Sequence, residues 1–352
     1  MSEHVDIAIV GAGPAGSYLA YCLGQKGIRA TLFDHSHPRE KPCGGGISCR
    51  ALRMFPFLGQ IPGPQDRGSR IQIISPAGRE VELGRGKTAE MIGISRMLLD
   101  SHILEMALHA GASLLPMRVL AVRRETAGWS IETADMQIRC RVLVGADGAR
   151  SVVRASTVGP HRNRDLAACY GCLLTGHTPG LSVISFPPGR QGYIWAFDRG
   201  SDACVGIGDR LGRGRGLKAT LELFIERRIH NARVHSRWGA ILPSAHSPSA
   251  FRAKCAGADW LLVGDAAGHV DPVTGEGILF ALWSAALAAD SIATGKPQDY
   301  DTAWRRVYLP ELWRGAILRR IFYSKLLLNS TIWFAQHNRV IGDGLYQAIT
   351  GG

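Results

Sequence analysis

The chain has 352 residues, 46% of them hydrophobic and 20% charged. That globular balance excludes a disordered tail, a collagen-like rod and a small disulfide scaffold. Lys and Arg outnumber Asp and Glu by 41 to 29, a net charge of +12, and glycine occurs 43 times, so an anionic partner and many tight backbone turns around a ligand are expected.

The N-terminus passes from Ser2, Glu3 and His4 straight into a strand pattern, with no signal-peptide core, and a cytoplasmic location is expected. Residues 5–10 (VDIAIV) are an apolar run suited to a buried parallel strand. Gly11-Ala12-Gly13-Pro14-Ala15-Gly16 follows at once, then a helical pattern from 17 to 26 that Gly27 ends. A second strand, 28–33, finishes in Asp34. Strand, GxGxxG, helix, strand, acid is the order of a dinucleotide anchor. Gly11 permits the tight turn, Gly13 lets backbone approach a pyrophosphate, and Gly16 lets helix and strand pack closely. The helix N-terminus supplies N–H donors and the positive end of its dipole, and Asp34 can accept from an adenosine ribose. The GAGPAG spelling, with Pro14 and Ala15, looks like the FAD form more than the NAD form.

Further along, Lys41-Pro42-Cys43-Gly44-Gly45-Gly46 is either a glycine turn over a ligand or a reactive thiol set among small residues. Residues 142–154 (VLVGADGARSVVR) repeat the strand-then-turn pattern, with Asp147 in the turn and Arg150 and Arg154 beyond it. Cys169 and Cys172 form a CxxC in an apolar strand-like run; no further ligands stand at zinc spacing, so buried thiols are expected. The eight cysteines are scattered, which suits a reducing compartment. Tyr193, Trp195 and Phe197 alternate along a strand and share one face. Residues 206–216 are rich in Gly and Arg; Arg210, Arg213 and Arg215 make a solvated loop or an anion clamp. Residues 260–278 (WLLVGDAAGHVDPVTGEGI) give a third strand ending in Gly264-Asp265. From 304 to 333 bulky apolar residues alternate with Arg305, Arg306, Arg314, Arg319, Arg320 and Lys325 at helical spacing. That segment is a helical layer closing the fold or a basic amphipathic surface for an anionic membrane. No charge-free run is long enough to span a bilayer. No groove-reading motif accompanies the charge, so no nucleic-acid partner is expected.

The three fingerprints at 11–34, 142–154 and 260–278, in that order, resemble the FAD-dependent hydroxylase and reductase superfamily, of the p-hydroxybenzoate hydroxylase-like fold. KPCGGG together with GDAAGxxDPxTGEGI and the Tyr-x-Trp-x-Phe string resembles its geranylgeranyl reductase family. This chain has Asp198 where that family usually continues with Pro, and it is shorter than many members. The resemblance implies an α/β fold. A discontinuous Rossmann-like FAD-binding domain would comprise 1–68, 95–163 and 252–300. A mixed β-sheet substrate domain would comprise 69–94 and 164–251, and a helical C-terminal region 301–352.

The resemblance also implies roles. Gly11, Gly13, Pro14, Ala15 and Gly16 would hold the pyrophosphate and Asp34 the ribose, with Asp147 near the pyrophosphate. Arg96 would reach the cofactor, or be a solvated helix-start residue. Gly264 and Asp265 would hold the ribityl chain. Pro272, Gly275, Gly277 and Ile278, with Gly44 and Gly45, would line the flavin. The implied reaction is saturation of isoprenoid double bonds on a lipid, quinone or pigment. It needs an acid to protonate one alkene carbon, and Cys43, His269 and Tyr193 are the candidates. Tyr193, Trp195 and Phe197 form a prenyl wall or simply a core face. The electron donor would be NAD(P)H or a reduced ferredoxin, the partners an apolar isoprenoid and a membrane surface or acidic electron carrier. An FAD monooxygenase acting on a small aromatic or polyketide shares these fingerprints. A flavin-binding protein without turnover, or an oxidase or dehydrogenase of a small metabolite, are the remaining alternatives.

Overall fold

The computed structural model describes residues 3–86, 91–176, 180 and 182–351; the side chains of Glu3 and Arg320 lie outside the description. The chain divides into two compact units, each assembled from three segments. Residues 1–39, 99–165 and 243–317 form the first, and 40–98, 166–242 and 318–352 the second.

The first unit is built on a seven-stranded sheet. Glu3–Val10 lies centrally, parallel to Thr31–Phe33 on one side and to Gln137–Gly145 on the other. Ser113–Leu115 extends the first side in parallel. The far edge of Gln137–Gly145 is shared. Its first half pairs antiparallel with Trp129–Glu132, and its end pairs parallel with Trp260–Leu262. Ile7, Ala8, Ile9, Leu143 and Val144 are all buried, as parallel strands covered on both faces require. Helices Pro14–Gly24 and Ile278–Ala293 pack on each other. Ala281, Ala285, Ala288 and Ala289 are buried in the longer helix, and such small side chains allow a close approach. Strand, glycine turn, helix and strand at the chain's start therefore place Gly11–Gly16 at the carboxyl end of the central strand, where open α/β sheets bind nucleotides.

The second unit carries a mixed sheet in the order Arg233–Pro243, Leu166–Thr175, Ala203–Arg210, Ile194–Asp198, Ser182–Ser185, Ile71–Ile74, Glu80–Leu83. Ser182–Ser185 runs parallel to Ile71–Ile74, while its other neighbour Ile194–Asp198 is antiparallel. Helix Leu217–Arg228 covers one face, where Leu217, Leu221 and Phe224 pack on Cys172, Leu174, Ile194, Ala196, Val205 and Ile207. Helices Lys325–His337 and Arg339–Thr350 press Leu328, Ile332, Ala335 and Tyr346 onto Ile71, Ile73, Val81 and Leu83. A small sheet pairs Met91–Ile94 with Gly46–Ile47 and Gln65–Gly68.

The compact units divide the chain elsewhere than the expected boundaries. Residues 40–68 fall in the second unit because their strands pair with Met91–Ile94. The C-terminal helices divide at residue 317. Helical periodicity says which residues are buried, not which partner buries them.

The CxxC sits on Leu166–Thr175 with Cys169 opposite Gly208 and Cys172 opposite Val205. Residues three apart on a strand point to opposite faces, so the two thiols do not converge. Burial pushes the Cys169 thiol up to about 12 and the Cys172 thiol up to about 11. Among the described residues no helix is long and apolar enough to cross a membrane.

Candidate flavin and substrate sites

Gly11 turns with φ +99°. Its N–H donates to the Phe33 carbonyl at 2.9 Å, and an added Cβ would lie 2.5 Å from the Ala146 carbonyl oxygen. At Gly16 a Cβ would be driven into the carbonyl oxygen of Gly11. Gly13 differs. It caps helix Pro14–Gly24, and a Cβ there meets nothing within 4 Å. The first N–H groups of a helix lack intrahelical partners, and here they open beside backbone with no side chain. These residues fit a dinucleotide pyrophosphate.

Asp34 is buried. Its Oδ2 accepts the Ala12 N–H at 3.0 Å and its Oδ1 the Ser36 N–H at 2.9 Å, with the Ser36 hydroxyl on Oδ1 as well. Burial works against its charge, yet these bonds hold the carboxyl below the usual carboxylate range. Its first task is thus to fix the glycine turn. Asp147 accepts from Val152 N–H at 2.7 Å through Oδ2, while its buried Oδ1 has no hydrogen-bond partner among the described residues. Burial raises its pKa. An orphaned acceptor at the end of Gln137–Gly145 suits a ligand hydroxyl.

The third fingerprint is held by side chains from the end of the second and from just beyond it. Arg154 Nη1 donates to the Ala266 carbonyl at 3.1 Å, and His161 Nε2 lies 2.9 Å from the Asp265 carbonyl. Gly264 N–H donates to Ser284 Oγ at 3.0 Å, and a Cβ at Gly264 would lie 3.0 Å from the Ala15 methyl. The Asp265 side chain is half-buried. Next, Asp271 Oδ1 gathers the N–H groups of Val273 and Thr274 at 2.9 and 2.6 Å, shaping the loop that carries Pro272 and Gly275. Gly277 then caps helix Ile278–Ala293.

Burial, and then the Arg154 charge, push His161 down to about 4. An unfolded chain would protonate it near 6.5, so between those values the unfolded state holds the extra proton. Its contribution to stability is full above pH 6.5 and is lost as pH falls toward 4. His269 shifts in the same direction. The denaturation midpoint is expected to drop from pH 7 to about pH 5, with His161 accounting for about 2 kcal/mol. Titrating a His161→Gln variant checks this; an unchanged pH dependence would remove His161 as the cause.

His269, named above as a candidate acid, is enclosed by aromatic side chains. Its ring is 0% exposed, 4.4 Å from the Trp304 ring, with Tyr308 Oη 2.8 Å from Nδ1 and Cys255 Sγ 3.6 Å from Nε2. Both ring nitrogens are engaged in the core of the first unit.

In the second unit, Cys43, Gly44 and Gly45 lie beside the aromatic strand. A Cβ on Gly44 would come 2.8 Å from Phe197 Cδ2 and 3.0 Å from Trp195 Cδ1. Tyr193 meets Trp195 edge to face at 5.9 Å, and Trp195 stacks on Trp238 at 6.1 Å. Cys43 is half-buried; its Sγ accepts the Gly45 N–H at 3.4 Å and its carbonyl accepts the Cys204 thiol at 3.1 Å. Arg96 opens helix Arg96–His109 and is buried, not solvated. Asp198, the departure from the family string, accepts from Gly180 N–H at 2.8 Å and Gly200 N–H at 2.9 Å. It shapes the turn after the wall, and its side chain alternates away from Phe197. Arg213 and Arg215 are exposed, and their carbonyls accept from Arg190 at 2.8 and 3.0 Å, which makes this a solvated loop.

The chain is similar to known proteins. Residues 4–163 match the FAD binding domain family. A menaquinone reductase of Mycobacterium tuberculosis is 30% identical over 355 residues, covering 91% of this chain and 84% of that protein. Digeranylgeranylglycerophospholipid reductase 1 of Methanococcoides burtonii is 28% identical over 355 residues, covering 92% and 85%. The chain belongs to the geranylgeranyl reductase family of FAD-dependent oxidoreductases. A geranylgeranyl bacteriochlorophyll reductase-like protein of Thermoplasma acidophilum shares its fold, with a TM-score of 0.82 at 21% identity over 96% of this chain and 93% of that one.

Three features of this reductase were not singled out in its sequence. Trp238 extends the aromatic wall. Gly171 and Gly206 make room for it, since a Cβ on either would enter the Trp238 or Trp195 indole. Glycines inside the apolar strands Leu166–Thr175 and Ala203–Arg210 were the available signal, because strand glycine marks close approach. Arg199 and Glu40 left no local signal.

Proposed function

We propose that this chain saturates carbon–carbon double bonds of an isoprenoid chain borne on a lipid, quinone or pigment. The observation that carries the reading is the continuous aromatic surface of Tyr193, Trp195, Phe197 and Trp238 beside the half-buried thiol of Cys43. The names of the relatives, a geranylgeranyl lipid reductase and a menaquinone reductase, support it.

In this reading the first unit holds FAD and the second takes the substrate. Gly11–Gly16, Asp34, Asp147, Gly264, Asp265 and the Pro272–Ile278 loop bind and orient the cofactor. When bound, FAD supplies the hydride for one alkene carbon. Cys43 gives the proton to the other. Its sulfur already accepts the Gly45 N–H, which leaves the S–H free to donate, and solvent restores the proton. The aromatic wall holds the prenyl chain by dispersion and keeps water out. Tyr193 is the second candidate acid. The electron donor is assigned to NAD(P)H or a reduced ferredoxin-type carrier.

The C-terminal helices of the second unit expose Leu326, Leu327, Trp333, Phe334 and Val340 near Lys325 and Arg339. We assign this surface to an anionic membrane.

The test is anaerobic incubation of the reduced protein with prenyl lipids, quinones and pigments in anionic vesicles, followed by mass spectrometry. A gain of hydrogen pairs, abolished or strongly reduced in Cys43→Ala, is expected. No gain on any substrate defeats the function, and oxygen-dependent gain of an oxygen atom makes the chain a monooxygenase instead. Failure of the protein to float with the vesicles defeats the membrane assignment.

A further inference from the structure

Arg199 follows the aromatic strand Ile194–Asp198, in a turn closed by its own N–H on the Asp202 carbonyl at 2.8 Å. Its side chain is 1% exposed and permanently charged. Nε and Nη2 donate to the two Asp202 oxygens at 2.7 and 2.6 Å, and Nη1 donates to Glu40 Oε1 at 2.6 Å. Glu40 is fully engaged. It also accepts the Arg96 N–H at 3.1 Å, the Ser95 hydroxyl at 2.5 Å and the Met97 N–H at 3.3 Å. It therefore caps helix Arg96–His109 while bonding Arg199. His235 is the further titratable neighbour, 3.8 Å from Asp202.

Glu40 stands three residues before Cys43. Beyond Cys43 the loop lies against the same arginine, since a Cβ on Gly45 would come 3.0 Å from Arg199 Cδ. The Gly45 carbonyl is tied to Ile94 N–H at 3.0 Å. Apolar residues of similar volume often replace a buried ion triad without loss of stability. Its distinguishing property is direction. Bidentate and charge-assisted bonds fix one segment against another in angle as well as distance.

We propose that Arg199 is a positioning residue that locks the Cys43 loop to the end of the Tyr193–Phe197 wall, and so sets where the thiol stands against the prenyl chain. This rests on the reading of Cys43 as the proton donor.

The full-length, flavin-loaded protein tests it through R199M, R199K and E40Q. The readings are flavin content, kcat and KM on the prenyl substrate, and the rate of Cys43 alkylation by iodoacetamide, followed by peptide mass spectrometry. R199M is expected to keep its flavin and to lose on the order of 100-fold in kcat with little change in KM, because misplacement of about 1 Å has that effect. Cys43 alkylation should accelerate severalfold as the loop loosens. R199K, whose ammonium can still reach one carboxylate, should recover part of both. E40Q keeps an acceptor for the helix N-terminus but loses the charge, and should shift alkylation in the same direction as R199M. A folded R199M with wild-type kcat and alkylation overturns the proposal. If R199M does not fold, wild-type values in E40Q overturn it. Faster alkylation in a protein whose wild type saturates no prenyl chain would support the clamp and defeat the function.

Discussion

Gly16→Ala is expected to give a protein that folds poorly and carries no flavin, whereas Gly13→Ala should fold normally and still lose FAD. The two glycines stand three residues apart but answer to different neighbours. A methyl at 16 runs into the Gly11 carbonyl oxygen, which is backbone and cannot rotate away. Overpacking against fixed backbone costs on the order of 3 kcal/mol or more. A methyl at 13 meets nothing within 4 Å, and the φ of −71° suits any residue. Only a ligand can object to it. Gly13→Ala should therefore hold its denaturation midpoint within about 0.5 kcal/mol of wild type. Its FAD dissociation constant should rise at least tenfold, about 1.4 kcal/mol. Flavin absorbance after gel filtration and a denaturant titration separate the two cases. FAD affinity at wild-type level in Gly13→Ala would show that the pyrophosphate lies elsewhere.

Gly206→Val should do the reverse, leaving flavin binding intact and removing turnover. Valine suits the strand Ala203–Arg210, so the backbone tolerates it. The side chain does not fit, because the Trp195 indole lies flat over Gly206. Trp195 must lift or tilt, and its stack with Trp238 at 6.1 Å goes with it. The stability cost is about 1–3 kcal/mol. If the wall holds the prenyl chain, a shift of about 1 Å lowers turnover on the order of 100-fold. Hydrogen-pair gain on the prenyl substrate, set against flavin content, checks this. Near-wild-type turnover would mean that these aromatics are only core.

What could be read in the sequence was what is written in consecutive residues. Gly11–Gly16 with Asp34, the turn at Asp147, and Gly264-Asp265 each sit in a short strand-turn pattern, and the structure puts each at the carboxyl end of a parallel strand. Contacts between distant segments left no such trace. Arg199 and Glu40 are separated by 159 positions, and each alone reads as an ordinary surface charge. His269 follows small residues that suggest openness; the residues that enclose it, Trp304 in helix Asp299–Val307 and Tyr308 just after that helix, come more than thirty positions later. Asp198, the departure from the family string, ends the strand Ile194–Asp198 and ties down the turn that follows.

The interleaving of the two units bears on how the protein is made. Glu3–Val10 and Gly11–Gly16 are made well before their later partners: Thr31–Phe33 follows soon after, but the neighbour on the other side begins at residue 137 and Trp260–Leu262 completes that edge only at residue 262. At ~5–20 residues per second the wait is on the order of 10–50 s. For the first part of it one side of the central strand is unpaired, helix Pro14–Gly24 waits for Ile278–Ala293 longer still, and long-range pairing of this kind folds slowly. The turn at Gly264, which packs on Ala15, does not exist until the wait is over. A site that needs both turns is completed only after Trp260–Leu262 has been made.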